Sequence, residues 1–181
     1  ILNRKILTTT STLLFFIVLL AAGTVISIAD NKATQKQKVV AAVIFKFIKF
    51  VEWESNSAVS EESFHMCLQQ YDSAFEPFTK RKTQGKTIKL LLLNAEKQAE
   101  NCDALYLNTA ESNHVDILKT YKNKSVLTIS EQPGFSSQGG VMELGNHNNR
   151  LTFTINQRVA KANNLNIGFQ LLSLAKNVIE S

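Results

Sequence analysis

The chain has 181 residues, of which 44% are hydrophobic and 19% charged, and its formal net charge is +5 at pH 7. This length suits a single domain with a sizeable core, and two prolines and seven glycines leave no room for a disordered linker. The densest basic run is Lys80-Arg81-Lys82. Nucleic-acid-binding tails carry longer runs of like charge, so we exclude nucleic acid as a predicted partner.

The first 29 residues have the three parts of a secretory signal peptide. Arg4 and Lys5 form a basic start, residues 13–22 form an unbroken apolar core, and Ser27-Ile28-Ala29 supplies small residues for a peptidase. No acidic residue precedes Asp30, which suits a translocated leader. The sequence therefore predicts an exported protein.

An uncleaved membrane anchor is the alternative interpretation of this leader. Residues 13–29 nearly reach the roughly 20 apolar residues that span a membrane, but small and polar side chains weaken the end of the stretch. We predict cleavage after Ala29, which gives a signal peptide at 1–29 and a single domain at 30–181 with no membrane span. Loss of two basic residues leaves 18 basic against 15 acidic side chains, a charge of +3.

Helices and strands alternate through the first two thirds of the predicted domain. The first helix is predicted at 37–51, because apolar residues recur there at three- and four-residue steps. The elements predicted next are a strand at 64–69, a helix at 72–82 in which Pro77 favours a break or a late start, a buried strand at 87–93, a helical or loop segment at 96–101, a strand at 104–107, a helix at 111–121 and a buried strand at 125–129. This alternation predicts a compact α/β fold with a central sheet covered by helices.

The last third of the chain has a different pattern. Apolar strands at 141–144 and 151–155 flank the turn-forming residues 145–149, which predicts a β-hairpin. Asn156 is placed to cap a helix that extends to about Ala162. A final helix is predicted at 167–179, with an apolar stripe facing the core formed by Leu171, Leu172, Leu174, Ala175 and Val178.

The two cysteines of the chain, Cys67 and Cys102, are interpreted from the predicted compartment. Outside a reducing cytosol, a lone even pair favours a disulfide over a metal site or a nucleophile. Cys67 lies in a predicted strand and Cys102 just before another. We therefore predict a bond between them that closes a loop of about 36 residues.

Residue patterns for catalysis are missing from the sequence. His65, His114 and His147 have no metal-ligand spacing to one another or to the cysteines, and we interpret them as surface or strand-edge side chains. The sequence contains no nucleophile elbow and no phosphate-binding loop. We predict a binding or regulatory protein without metal or cofactor, and not an enzyme.

One segment could form a binding site. Glu131 to Gly140 follows a predicted buried strand, where α/β folds place binding loops, and its glycines could present backbone amides to an anion. With Arg158 it would make the protein a periplasmic solute-binding module that takes an anion or amino acid. A structural crossover into the hairpin is the other interpretation, since glycine often serves a turn.

Several blocks of sequence occur in an order typical of one protein family: Phe47–Trp53, Cys102–Leu107, Val126–Glu131, Gly139–Leu144, Leu151–Asn156 and Leu171–Ala175. These blocks resemble the YfiR family of periplasmic proteins from Gram-negative bacteria, and the resemblance spans residues 38–179. Glu54 stands where the family commonly has proline, and a further cysteine pair of well-studied members is absent.

The resemblance implies a regulator with a compact α/β fold. YfiR-type proteins repress a membrane-bound diguanylate cyclase by binding its periplasmic domain, and so control cyclic-di-GMP signalling and biofilm formation. An OmpA-like outer-membrane lipoprotein can sequester them, and members form homodimers. The resemblance also implies that the bond between Cys67 and Cys102 is a structural disulfide and not a catalytic dithiol.

Overall fold

The computed structural model describes residues 33–54, 63–93, 101–108 and 114–180. The predicted signal peptide and most of the segment predicted at 96–101 lie outside these ranges. The described residues belong to one compact unit, assigned to Lys32–Ser181. They form a mixed α/β domain, which confirms the predicted fold class.

The first helix, α1, is Gln35–Ile48, and it begins and ends earlier than predicted. Thr34 and Gln37 form a reciprocal capping box, which satisfies two of the amides at the start of the helix. The helix ends before residue 51 because Val51–Trp53 forms a short strand, β1. This strand pairs with a distant segment, a contact that helical periodicity does not reveal.

An eight-stranded sheet is the centre of the domain, in the order β10-β8-β7-β6-β5-β2-β4-β3. Neighbours are parallel except for the pairs β3–β4 and β7–β8, which are antiparallel. The strands are β2 (Ser63–Leu68), β3 (Lys82–Thr83), β4 (Lys86–Leu92), β5 (Ala104–Leu107), β6 (Leu127–Ser130), β7 (Met142–His147), β8 (Arg150–Asn156) and β10 (Asn177–Ile179).

The predicted helix at 72–82 is wrong beyond its first turns. Asp72 caps a short 3₁₀ helix, Ser73–Phe78, that contains Pro77. Proline has no amide hydrogen to continue a helix, so the chain turns instead. Gln84 and Gly85 have φ of 51° and 78°, and they reverse the chain between β3 and β4.

The predicted hairpin and the helix after it are confirmed. Strands β7 and β8 extend further than predicted and meet at Asn148 and Asn149, whose φ values of 49° and 61° suit a tight two-residue turn. Asn156 accepts a hydrogen bond from the Val159 amide at 3.0 Å, and so caps helix Gln157–Ala162. We name this helix α3, and the helix before it in the chain, His114–Tyr121, is α2. Helix α2 ends where the helix predicted at 111–121 ends, and residues 111–113 lie outside the described ranges.

The predicted final helix at 167–179 is wrong. Leu165–Ile167 is a strand, β9, that pairs antiparallel with β1, and only Phe169–Leu172 forms a helix, α4. Asn177–Ile179 then runs parallel to β8 as β10. Backbone pairing with strands far away in sequence overrides the helical spacing of the leucines.

Two apolar clusters cover the two faces of the sheet, because alternate residues of a strand point in opposite directions. On one face, α1 packs on Phe64, Met66 and Leu68 of β2. On the other, α2 packs on a smaller cluster that includes Cys67, Leu105 and Phe135. Within the described ranges no helix is long and apolar enough to cross a membrane.

Candidate functional site

The disulfide lies inside the smaller apolar cluster. Cys67 is on β2 and Cys102 directly precedes β5, and the structure joins them with 5.8 Å between their Cα atoms. Both residues are buried, with exposures of 0% and 7%. The bond predicted from the sequence is therefore present, and its burial suits a structural role.

Asp103, the residue after the second cysteine, holds three segments together. Its carboxylate accepts from the His65 amide at 2.7 Å, and its own amide donates to the His65 carbonyl at 3.0 Å. The Trp53 indole donates to the Asp103 carbonyl at 3.2 Å. The end of β1 and the start of β5 are thus anchored to β2 beside the disulfide.

An internal carboxylate occupies the glycine-containing loop that was a predicted anion site. Glu143 on β7 accepts from the amides of Gly134 and Ser136, at 3.1 and 3.0 Å, and from the Ser136 hydroxyl at 2.8 Å. Three donors of the loop therefore already bind a negative charge. Arg158 is exposed on α3. The geometry supports the interpretation of the segment as a structural crossover.

Glu131, at the start of this loop, connects the sheet to the first helix. It accepts a hydrogen bond from the Tyr106 hydroxyl at 2.7 Å and pairs with Lys36 at 2.5 Å. Burial, and then the hydrogen bond to Glu131, raises the pKa of Tyr106 above its ordinary value. The phenol therefore stays protonated at neutral pH and keeps donating to the carboxylate.

A groove of about 370 Å³ lies between α2, α3 and the end of the same loop. Leu118 of α2 and Val159 of α3 provide apolar walls, while Gln138 and Asn163 provide polar groups. Tyr121 also lines the groove, and among the described residues its buried hydroxyl has no hydrogen-bond partner. Burial raises the pKa of Tyr121. A volume of this size accommodates a small molecule.

Three apolar side chains are exposed on two neighbouring segments, and we call them the apolar surface. Phe169 is 79% exposed, Leu174 is 73% exposed and Phe50 is 42% exposed. The Gly168 amide donates to the Phe50 carbonyl at 2.7 Å, so the Phe50 and Phe169 backbones lie side by side. Exposed aromatic side chains are typical anchors of protein interfaces.

This surface was missed in the sequence, where Leu174 was assigned to a helix stripe facing the core. That assignment is wrong for Leu174, whereas Leu171 is buried as predicted and Leu172 and Ala175 pack on the core in part. The helix ends at Leu172, so the residues after it no longer follow helical spacing. Phe169 carried no signal in the sequence that would separate it from the buried phenylalanines.

The three histidines lie on three different elements of the fold. His65 is on β2, His114 begins α2 with its ring 5.8 Å from the Phe135 ring, and His147 is exposed on the hairpin. His114 is 2% exposed, so the prediction of a surface or strand-edge position is wrong for it. No group of histidine, cysteine and acidic residues in the described part of the chain could hold a metal ion.

Comparison with known proteins connects the chain to one family. A family model described as YfiR/HmsC-like matches residues 37–176, which is more than three quarters of the chain. No curated protein matches the chain.

One solved structure similar to the chain is a "conserved domain protein" from Vibrio cholerae O1 biovar El Tor strain N16961. The two have 10% sequence identity and a TM-score of 0.47, and the match covers 81% of this chain. The chain spans 61% of the length of that Vibrio chain.

Proposed function

Since the chain belongs to the YfiR/HmsC-like family, we propose that it represses a membrane diguanylate cyclase by binding the periplasmic domain of that enzyme. The family is one of periplasmic, non-catalytic regulators. The family match over residues 37–176 is the observation that carries the proposal. Repression would lower cyclic-di-GMP synthesis and restrain biofilm formation.

The apolar surface is the part of the fold that we assign to the cyclase. An aromatic ring that is 79% exposed gains most when a partner removes it from water. The segment that carries Phe169 is fixed to the body of the domain by the β1–β9 pair and by buried Leu171. A rigid support reduces the ordering cost of binding.

Two further partners complete the proposal. An OmpA-like outer-membrane lipoprotein would sequester the repressor and release the cyclase, and the repressor would form a homodimer. Sequestration requires that the lipoprotein and the cyclase compete for the same protein. A binding competition between the two periplasmic domains tests this part separately.

Phe169→Ser is expected to weaken binding of the cyclase domain by about 30-fold, which corresponds to about 2 kcal/mol for an interface anchor. Isothermal titration against the periplasmic domain of a cyclase encoded beside the gene provides the measurement. The variant should unfold at the same temperature as the wild type, because the side chain contributes little to the core.

Val39→Ser is the matched control, since Val39 is also exposed (44%) but lies on α1. It should bind the cyclase domain like the wild type. If the wild type and Phe169→Ser bind the cyclase domain with equal affinity, the apolar surface is not part of the interface. Failure of the wild type to bind any neighbouring cyclase domain would contradict the proposed function itself.

A small-molecule-binding module is the second candidate function, because the groove has a suitable volume and mixed polar and apolar walls. A thermal-shift screen with a metabolite library tests it. A ligand at about 100 times its dissociation constant should stabilise the fold by about 2.7 kcal/mol.

Ala162→Trp should abolish that shift, since Ala162 lines the groove and is exposed enough to accept a larger side chain. Lys161→Trp, one residue earlier on α3 and outside the groove lining, should keep it. A screen without any shift in the wild type would remove this candidate.

A further inference from the structure

Strand β4 lies close to one edge of the sheet and is only partly covered. On the side that faces the middle of the sheet, which we call the inner side, residues Thr87 to Leu92 pair with β2. On its outer side, β3 pairs with Lys86 and Thr87 alone. Among the described residues, no strand lies against the outer side of β4 beyond Ile88. The prediction of a fully buried strand at 87–93 is therefore wrong.

The backbone of this outer side can bind another strand. Leu93 donates its amide inward, to the Leu68 carbonyl at 2.8 Å, whereas Ile88 donates outward, to the Arg81 carbonyl at 3.3 Å. Because successive residues of a strand alternate in direction, the amides and carbonyls of Leu90 and Leu92 also point outward. An added strand would bind these four groups.

The side chains of β4 are unusual for a strand at an edge. Leu91 is 36% exposed and Leu92 is 54% exposed, so apolar surface accompanies the open backbone groups. Proteins usually protect such edges with charge or proline, and here the protection is confined to the first half of the strand, at Lys86 and Lys89. The second half is a template for strand addition.

Charge at this edge selects the kind of strand that fits. Residues 80–89 contain five basic side chains and no acidic one. Four of the five are exposed: Lys80, Arg81, Lys82 and Lys89. A second copy of the chain at the same edge would bring two such basic clusters together. An acidic strand would instead gain opposite charge along the pairing.

We propose that the outer edge of β4 binds an extended segment of a partner protein whose side chains alternate between acidic and apolar. The segment would continue the sheet beyond Ile88. Its backbone would bind Leu90 and Leu92, its apolar side chains would pack near Leu92 on one face of the sheet, and its carboxylates would lie on the opposite face, near Lys89. This edge shares no residue with the apolar surface, and its proposed binding does not depend on the cyclase proposal.

The test uses the natural protein and a blocked heptapeptide of alternating glutamate and valine as the probe. Fluorescence anisotropy of the labelled peptide should show saturable binding that weakens with salt. Hydrogen exchange of the Leu90 and Leu92 amides should slow when the peptide binds. A peptide of alternating lysine and valine should bind at least tenfold more weakly.

Leu92→Pro removes one outward amide and keeps the inward ladder, because proline is tolerated on the free side of an edge strand. It should weaken peptide binding at least tenfold, whereas Leu92→Ala, which keeps the amide, should weaken it less. Lys89→Glu should also weaken binding. Thermal unfolding shows whether each variant is folded.

Three outcomes would overturn the proposal. If the acidic and basic peptides bind equally well, charge does not select the strand that binds this edge. Slow exchange of the Leu90 and Leu92 amides in the free protein at low concentration would mean that the chain itself covers the edge. Slow exchange that appears only as protein concentration rises would mean that a second copy occupies it.

Discussion

Replacement of both cysteines, Cys67→Ala with Cys102→Ala, should lower the free energy of unfolding by about 4 kcal/mol. The bond joins residues separated by 35 positions, and without it the unfolded chain gains the freedom of that loop. Alanine suits these positions because both are buried among apolar side chains. Urea unfolding under oxidising conditions provides the measurement.

Reduction of the wild type should produce a similar loss, and it controls for any effect of the alanines themselves. Mass spectrometry without reductant should find no free thiol in the native protein. A loss below about 1 kcal/mol in the double variant would contradict a stabilising role for the bond. Two freely alkylated cysteines in the native protein would contradict the bond itself.

Gly140→Ala should destabilise the domain by about 3 kcal/mol, the upper end of the range for overpacking a core. A Cβ atom on Gly140 would overlap carbons of the Phe135 ring. That ring is fully buried, beside His114, and the Gly140 amide donates to the Phe135 carbonyl at 3.0 Å. The burial of the ring and this hydrogen bond both oppose a shift that would relieve the overlap.

Gly145→Ala is the matched control, since a Cβ there meets only the Thr152 hydroxyl, at 3.3 Å. It should change the free energy of unfolding by less than about 1 kcal/mol. Phe135→Leu should recover part of the loss when combined with Gly140→Ala, because it removes the overlapping ring carbons. Gly140→Ala with wild-type stability would contradict the packing described for the loop.

The parts of the fold that could be predicted from sequence depend on local signals. The strand Ala104–Leu107 begins and ends at the predicted residues, because its short apolar run lies between polar segments. Asn156 caps its helix because a short polar side chain can accept from an amide three residues on. Both features arise within a few residues of the chain.

The elements that were predicted wrongly depend on partners far away in sequence. The strand Leu165–Ile167 exists because it pairs with Val51–Trp53. Strand β4 was predicted to be buried from its leucines, but burial depends on its place in the strand order, which periodicity does not contain. In both β9 and β4, the local residue pattern disagrees with the strand pairing that the whole fold imposes.

The candidate site was predictable only in part. The disulfide followed from the predicted compartment and the number of cysteines. The loop at 131–140 was identified, but the ligand of its amides, Glu143, comes from the strand that follows it. The exposure of Phe169 and Leu174 could not be predicted, because it results from the early end of α4.

The central claim is that this protein represses a diguanylate cyclase, and cellular cyclic-di-GMP tests it most directly. The full-length neighbouring cyclase is expressed in a host without its own repressor, together with the wild type or Phe169→Ser. The account predicts that the wild type lowers cyclic-di-GMP several-fold and that Phe169→Ser, at equal abundance, lowers it much less. An unchanged cyclic-di-GMP level with abundant wild-type protein in the periplasm would contradict the account.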